Sequence, residues 1–198
     1  MPQTHPPLIL ASSSPFRREL LSRLGMKFSS VSPEVDEAPL VNEPAEMLVS
    51  RLAECKAKAV AESHPNALII GSDQVATIEG QILGKPGNHE RAVEQLMRAS
   101  GKHVSFLTGL CLHHSTTGNT QLWCEPFHVE FRELTRDEIE HYLHREKPYN
   151  CAGSFKSEGL GICLFQRMEG DDPSSLIGLP LIRLVNMLRN EGVDVLRP

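Results

Sequence analysis

An apolar strand that leads directly into a helix is the feature that most constrains the fold of this chain. Residues 8–25 are LILASSSPFRRELLSRLG, in which an apolar run is followed by three serines and a proline. After Pro15, apolar residues recur at the four-residue spacing of a helix, and Gly25 marks its end. Ser14 suits the N-cap and Pro15 the first helical turn. A strand, a short polar turn and a helix in this order predict an α/β protein.

Strand-like and helix-like segments are mixed along the rest of the chain. Strands are predicted at 67–77 with a break at Gly71, at 103–114, at 121–131 and near 162–167, with a short hairpin turning at Glu79–Gly80. Helices are predicted at about 45–63, after Asn88, from a Thr135–Glu138 capping box to before Pro148, and from Pro180; residues 31–44 are predicted to be an irregular loop. The long hairpin excludes a purely parallel sheet. We therefore expect an α/β fold with a mixed, twisted sheet flanked by helices, in one domain spanning 1–198.

Composition narrows the class of protein. The chain has 198 residues, 40% of them hydrophobic and 23% charged, which are ordinary values for a globular domain. A net charge of −5 without a basic run argues against a nucleic-acid partner. Five cysteines without a CxxC pair are typical of reduced thiols and not of a disulfide framework or zinc ribbon. No apolar run has membrane length and the first residues, MPQTHPP, lack a signal-peptide pattern, so we expect a cytoplasmic protein without a membrane partner.

Two arginines at the start of the first helix indicate an anion. Arg17 and Arg18 lie in the first turn, at the positive end of the helix dipole, where cations are disfavoured. A bound anion would reverse that effect, because a helix N-terminus and guanidinium groups both attract negative charge. The alternative is that both arginines point to solvent. Ser12, Ser13 and Ser14 add donors at the same place, so we expect an oligophosphate to bind here.

Carboxylates and lysines further along the chain complete a set suited to phosphate chemistry. Asp73, in the segment GSDQ, is expected at the carboxyl end of a central strand, where α/β folds place ligands; a turn-capping aspartate is the alternative. Lys85 is confined to a turn between glycine and proline, and no Walker A loop is present. Asp36–Glu37 and Lys56 lie between these motifs and the serine turn. Together they offer cations for phosphate oxygens and carboxylates that can hold a divalent metal and orient water.

The ordered set of motifs resembles a known family. ASSSPFRRELL, PEVDE, RLAECKA, GSDQV, GKP and CAGSFKSEG are similar, in this order, to the signature segments of the Maf family of nucleoside triphosphate pyrophosphatases. The resemblance implies two lobes around a deep cleft, a homodimer, and cleavage of a small nucleotide between its α- and β-phosphates with a divalent metal, Mg²⁺ or Mn²⁺. The GSDQ and FKSEG versions resemble the branch that acts on 7-methyl-GTP and removes this modified nucleotide, in contrast to the branch that acts on dTTP and UTP.

The resemblance also implies the site residues. The catalytic residues are Asp73, Arg18, Glu37, Lys56 and Lys85, with Glu37 and Asp73 as metal ligands. The substrate-binding residues are Ser12, Ser14, Arg17, Phe16, Gln74 and Glu158. Phe16 would stack on the cationic methylated guanine, although this branch tends to carry tryptophan there. The alternative is that Phe16 continues the apolar face of the first helix.

Two other functions remain open, and other roles for the histidines and aromatic residues are disfavoured. The protein could be a dTTP or UTP pyrophosphatase of the same family, or a non-catalytic regulator that binds a cell-division partner, since the family is named for a link to septum formation. His141 and His144 lie three apart on a predicted helix, but without a third ligand an exposed polar face is favoured over a metal site. Trp123, Phe127 and Phe131 alternate on a strand and are predicted to be core residues.

Overall fold

Within residues 5–197, seven strands form one mixed sheet with helices on both faces. The structure is a computed structural model that describes residues 5–197; Met1–Thr4 and Pro198, which the signal-peptide and single-domain predictions include, lie outside the described residues. The strands are β1 (Leu8–Ala11), β2 (Phe28–Val31), β3 (Leu68–Ile78), β4 (Gln81–Leu83), β5 (His103–His114), β6 (Thr120–Phe131) and β7 (Phe165–Glu169). The helices are α1 (Pro15–Ser22), α2 (Ala45–Ala61), α3 (His89–Ala99), α4 (Arg136–Glu146), α5 (Pro173–Ile177) and α6 (Leu181–Asn190), with 3₁₀ turns at Ala152–Ser154 and Leu160–Leu164.

The strand order is β2-β1-β3-β5-β6-β7, and β4 pairs with the far end of β3. β1 runs parallel to both β2 and β3, whereas the β3–β5, β5–β6 and β6–β7 pairs are antiparallel. The mixed α/β sheet predicted from the long β5–β6 hairpin is therefore confirmed. No helix within residues 5–197 is long and apolar enough to cross a membrane.

Local capping and turn chemistry forms as predicted. The Ser14 side chain accepts a hydrogen bond from the first turn of α1, and Asn88 does the same for α3. Thr135 and Glu138 form a reciprocal capping box at the start of α4. The β3–β4 hairpin turns at Glu79–Gly80, where both residues have positive φ, as a type I′ hairpin turn requires.

β3 does not break at Gly71, contrary to the prediction, but continues through it to Ile78. The glycine is required by packing across the sheet: a Cβ there would lie 2.0 Å from the carbonyl oxygen of Ala53 in α2. Gly109 on the neighbouring strand β5 has the same function, since its Cβ would lie 2.1 Å from the Val49 carbonyl oxygen. The two glycines therefore let the backbone of α2 approach the sheet closely.

Two short elements, β2 and α5, were not predicted. β2 has four residues and α5 five, so neither has a periodic pattern long enough to detect. The last helix begins at Leu181, with Pro180 as its N-cap instead of its first residue. β7 begins at Phe165, later than the predicted 162.

The prediction that Trp123 is a core residue is wrong, whereas Phe127 and Phe131 are buried as expected. Trp123 is 42% exposed. Its indole N–H donates to the Glu125 carboxylate at 2.8 Å, and the Arg183 guanidinium lies 3.7 Å from the ring centroid. A polar partner and a cation on its face let this tryptophan remain near solvent.

Apolar clusters divide the molecule along the two long strands. One cluster joins β1, β3 and β5 to α1 and α6, and a second packs α2 on the opposite face of the same strands. A third cluster lies at the other end of β3 and β5, with α3 and α4. Ser72–Gln74 of β3 and Thr108–Gly109 of β5 belong to none of these clusters. This polar middle of the sheet is where the candidate site lies.

Candidate active site

A buried lysine joins two of the predicted carboxylates. The Lys56 Nζ lies 2.6 Å from Asp73 Oδ1 and 2.6 Å from Glu37 Oε1, and the Lys56 side chain is only 7% exposed. Lys56 comes from α2, Asp73 from β3 and Glu37 from the loop before α2. The close approach of α2 over Gly71 brings Lys56 within reach of Asp73 on the same face of β3. Three predicted catalytic residues therefore meet in one contact.

Asp73 lies inside β3 and not at its carboxyl end, which corrects the prediction. The parallel neighbour β1 ends at Ala11, which pairs with Gly71, two positions before Asp73. β3 continues because its antiparallel pairing with β5 extends to Thr77. Asp73 consequently lies just beyond the end of a parallel strand, at the edge from which the serine turn departs.

The serine turn is ordered by its own hydroxyls. Ser12 is buried, and its Oγ accepts hydrogen bonds from the Ser14 N–H at 3.2 Å and from Arg17 Nη1 at 3.5 Å. The Ser14 Oγ accepts from the Arg17 N–H at 3.4 Å, so this hydroxyl caps α1. The first turn of α1 holds no acidic residue. The turn therefore presents a positive end whose charge no carboxylate in the first turn of α1 offsets.

Arg17 and Arg18 differ in their surroundings. Arg17 Nε donates to the Gly178 carbonyl oxygen at 2.8 Å. Burial lowers the pKa of the Arg17 guanidinium, and the nearby Asp73 and Glu37 carboxylates act in the opposite direction. Arg18 is exposed, and its side chain has no hydrogen bond or ion pair within residues 5–197. Arg17 is thus part of the cluster, whereas the role of Arg18 in binding phosphate stays a prediction.

Glu37 is surrounded by cations. The hydrogen bond from Lys56 lowers the pKa of the Glu37 carboxyl, and the charges of Lys56, Lys85 and Arg17 lower it further, although partial burial opposes them. Glu37 is therefore ionised at neutral pH. Lys85 is exposed in the turn after β4 and lies close enough to act on Glu37 through its charge.

The carboxylates keep oxygen atoms that could ligate a metal. Lys56 occupies Oδ1 of Asp73 and Oε1 of Glu37, and within residues 5–197 the second oxygen of each carboxylate receives no hydrogen bond. Carboxylate oxygens are the ligands that Mg²⁺ and Mn²⁺ prefer. The donor set therefore fits a hard divalent cation held between Glu37 and Asp73.

Gln74 points to the other face of the sheet from Asp73, because neighbouring residues of a strand alternate. Its Nε2 donates to the carbonyl oxygens of Ser175 at 2.7 Å and Leu176 at 3.2 Å, and to Thr108 Oγ1 at 3.0 Å. The structure does not bring Gln74 together with Asp73. Its contact with the base stays a prediction. The Oε1 atom of Gln74 is the atom left to make that contact.

The other two predicted base-binding residues are accessible. Phe16 is half-buried and, among the described residues, does not belong to the apolar clusters or pack against them. Glu158 is exposed and accepts a hydrogen bond from Ser157 Oγ at 3.4 Å. Burial raises the pKa of the Cys151 thiol, and Glu158 and Lys85 both act on that thiol through their charges. Glu158 and Lys85 therefore both lie near Cys151. Because the pKa of its thiol is raised, Cys151 is not an activated nucleophile.

Arg17 is supported by a segment that was not predicted from the sequence. The Gly178 carbonyl oxygen accepts from Arg17 Nε at 2.8 Å and from the fully buried Ser72 Oγ at 2.9 Å. Gly178 has a φ of +121°, which favours glycine. The sequence DDPSSLIGLP contains a signal from which α5 could be predicted, since Asp172 is its N-cap and Pro173 its first residue.

Comparison with known proteins gives a family and close relatives. Residues 7–191 match the family described as Maf-like protein. The chain is 57% identical to the 7-methyl-GTP pyrophosphatase of Nitrosococcus oceani over 99% of both chains. It is 60% identical to the protein of that name from Pseudomonas savastanoi pv. phaseolicola, over 96% of this chain and 99% of the relative, and 56% identical to that of Pseudomonas aeruginosa, with the same coverage.

A solved structure supports the fold. The Ham1 protein of Staphylococcus aureus superimposes with a TM-score of 0.53 over 93% of this chain and 98% of that protein. The two sequences are 14% identical, so the likeness concerns the arrangement of the mixed sheet and its helices alone.

Proposed function

This chain belongs to the Maf family, and on that premise we propose that it hydrolyses 7-methyl-GTP to 7-methyl-GMP and diphosphate, removing a modified nucleotide. The relatives named 7-methyl-GTP pyrophosphatase match almost the whole chain. The observation that carries the proposal is the buried Lys56, which bridges Glu37 and Asp73 beside Arg17. Alternating carboxylates and cations at one place suit the in-line displacement of a diphosphate leaving group.

Asp73 orients the attacking water and accepts its proton. The Lys56 ammonium donates to Asp73 Oδ1 at 2.6 Å and so holds the carboxylate in one orientation. Its second oxygen faces the water that attacks the α-phosphorus, and diphosphate leaves. General-base assistance of this kind contributes about 10²–10⁴-fold to the rate.

The cations bind the triphosphate. Arg17, already oriented by Ser12 and by the Gly178 carbonyl oxygen, contacts a phosphate with its remaining N–H groups. The exposed Arg18 and Lys85 reach the β- and γ-phosphates. Charge-assisted hydrogen bonds of this type contribute about 1.5–3 kcal/mol each.

Glu37 and Asp73 would also hold the divalent cation, Mg²⁺ or Mn²⁺, since the free Asp73 oxygen has one lone pair for the water and a second for the metal. When bound, the metal neutralises charge that develops on the phosphate oxygens. Glu37 remains ionised for this role because the neighbouring cations lower its pKa.

Base preference comes from Phe16, Glu158 and Gln74. The half-buried Phe16 ring follows the serine turn and stacks on the cationic 7-methylguanine, a contact that contributes about 0.5–2 kcal/mol. The exposed Glu158 carboxylate accepts hydrogen bonds from the guanine N1–H and amino group and balances the positive charge of the base. Gln74 Oε1 contacts the remaining edge of the purine.

The experiment compares hydrolysis of 7-methyl-GTP, UTP and dTTP by the purified protein. We expect the highest kcat/KM for 7-methyl-GTP, diphosphate instead of orthophosphate as product, and loss of activity in EDTA that Mg²⁺ or Mn²⁺ restores. Asp73→Asn should lower kcat at least about 100-fold with the fold retained. Faster hydrolysis of UTP or dTTP would place the protein in the other branch, and the absence of any turnover would favour a regulator that binds a cell-division partner.

The proposal also includes the cellular location and the oligomeric state of the enzyme. A cytoplasmic homodimer is consistent with the cysteine content and with the resemblance, and the molar mass of the purified protein in light scattering tests the dimer. A monomer at micromolar concentration would contradict it.

A further inference from the structure

Two histidines and one glutamate converge outside the candidate active site, where α3 begins beside α4. His89 Nε2 lies 2.6 Å from Glu140 Oε2, and His144 Nε2 lies 3.9 Å from the same oxygen. The two imidazole rings stack with 4.9 Å between their centroids. From the sequence, His144 and His141 form a pair without a third ligand. The structure leaves both histidines exposed, as expected, but stacks His144 on a histidine of another helix.

We propose that His89, Glu140 and His144 form a binding site for a divalent late transition metal, with Zn²⁺ as the reference ion. Their ligand atoms all lie within 4.8 Å of one another. In a tetrahedral zinc site with bonds near 2.05 Å, ligand atoms are about 3.4 Å apart. The distances from Glu140 Oε2 to the His89 and His144 nitrogens, 2.6 and 3.9 Å, bracket that value, so changes of about 0.8 and 0.5 Å bring each nitrogen to the zinc spacing from that oxygen. The metal replaces the proton between His89 and Glu140.

Neighbouring groups already orient these ligands. The Nδ1 of His89 is hydrogen-bonded to the Tyr149 hydroxyl at 2.9 Å, which leaves Nε2 for the metal. Arg136 Nε lies 3.7 Å from Glu140 Oε1 and so leaves Oε2 directed at the histidines. His89 and Glu140 line a surface groove of about 540 Å³, through which an ion can enter and water can supply the fourth ligand.

The donor atoms separate this site from the candidate active site. Two imidazole nitrogens and one carboxylate favour Zn²⁺, Ni²⁺ or Cu²⁺, whereas the Glu37–Asp73 pair offers only oxygen, which suits Mg²⁺. A metal at His89, Glu140 and His144 would link α3 to α4 and stabilise the folded state by binding it preferentially. The inference does not depend on the proposed pyrophosphatase activity.

The test is a titration of the full-length protein with Zn²⁺ after removal of metals with EDTA. The thiols are first alkylated, since Cys55 and Cys163 are exposed and would also bind zinc. With excess Mg²⁺ present to occupy the Glu37–Asp73 pair, we expect one equivalent of Zn²⁺ to bind, and the Co²⁺-substituted protein to show visible absorption typical of tetrahedral coordination. His144→Ala and Glu140→Gln should each weaken Zn²⁺ binding at least about tenfold and remove the rise in Tm that Zn²⁺ produces.

The controls make the result specific. His141→Ala removes an exposed imidazole from the same helix and should leave the Zn²⁺ affinity unchanged. The variant Glu37→Gln/Asp73→Asn should also bind Zn²⁺ as the wild type does. Wild-type affinity in His89→Ala/His144→Ala would overturn the proposal, as would loss of the single equivalent in Glu37→Gln/Asp73→Asn. Should His89→Ala fail to fold, the exposed His144 provides the same test through His144→Gln.

Discussion

Replacement of Lys56 by methionine tests whether the buried ammonium organises the candidate active site. Methionine has a similar length, so the change removes the charge with little loss of volume. The Asp73 side chain is 13% exposed and would lose its ion-pair partner in a nearly dry place, whereas Glu37 is 58% exposed and would remain hydrated. Breaking a buried ion pair costs about 3–5 kcal/mol, and an exposed pair contributes about 0–1 kcal/mol. We expect Lys56→Met to lower the free energy of unfolding by about 3–5 kcal/mol.

A double-mutant cycle separates the ion pair from other effects. Lys56→Met/Asp73→Asn removes both charges, so it should be more stable than the sum of the two single changes predicts, by about 0.5–3 kcal/mol. The matched control is Lys58→Met on the same helix, where the lysine is 54% exposed and pairs with Glu54. This control should change stability by less than about 0.5 kcal/mol.

The assay is urea denaturation at one fixed protein concentration, together with kcat for 7-methyl-GTP. Lys56→Met should also lose most of its turnover, because Asp73 is no longer held in one orientation. The reasoning would be refuted if Lys56→Met were no less stable than Lys58→Met. It would also be refuted if the two single changes were strictly additive in the double variant.

Three further changes test packing, pH dependence and base preference. Gly71→Ala places a Cβ 2.0 Å from a backbone carbonyl oxygen of α2. It should lower the free energy of unfolding in urea by about 1–3 kcal/mol and kcat by about 100-fold. The control is Gly84→Ala, whose Cβ would have no atom within 4 Å and which should not alter the free energy of unfolding. Arg51 lowers the pKa of Glu43 from 4.5 to about 2, so the stability that this pair contributes is present above pH 4.5 and is lost as pH falls towards 2. The Tm of Glu43→Gln should therefore depend less on pH in that interval than the Tm of the wild type. An unchanged pH dependence would contradict the pairing of Glu43 with Arg51. Glu158→Gln should reduce kcat/KM for 7-methyl-GTP much more than for UTP, and equal losses would exclude the proposed contact with the base.

The elements that were predicted correctly are those with a signal inside a few neighbouring residues. The cap at Ser14, the capping box at Thr135–Glu138 and the hairpin at Glu79–Gly80 each depend on side chains and backbone angles within one turn. β2 and α5 were missed because they are short and acquire their stability from pairing with β1 and from contacts with the sheet.

The candidate site was predicted in part. Chemistry and resemblance selected Glu37, Lys56 and Asp73, and the structure brings these three into contact. Gln74 lies next to Asp73 in the chain but on the opposite face of β3, so its contact with the base stays a prediction. The sequence around Ser72 also gives no indication of its partner. The fully buried Ser72 hydroxyl donates to the carbonyl oxygen of Gly178, which lies 106 positions further along the chain.

Local sequence patterns were sufficient to predict the type of most elements, the mixed nature of the sheet and the kinds of groups available for phosphate chemistry. These properties depend on periodicity, capping and composition, which act over short distances along the chain. Which of these groups contact one another depends on the packing of the elements in three dimensions. Lys56 reaches Asp73 because α2 packs on Gly71 and Gly109, and His144 reaches His89 because α4 lies beside α3. Such contacts depend on how whole elements pack, and no local pattern specifies the distance between residues on different elements.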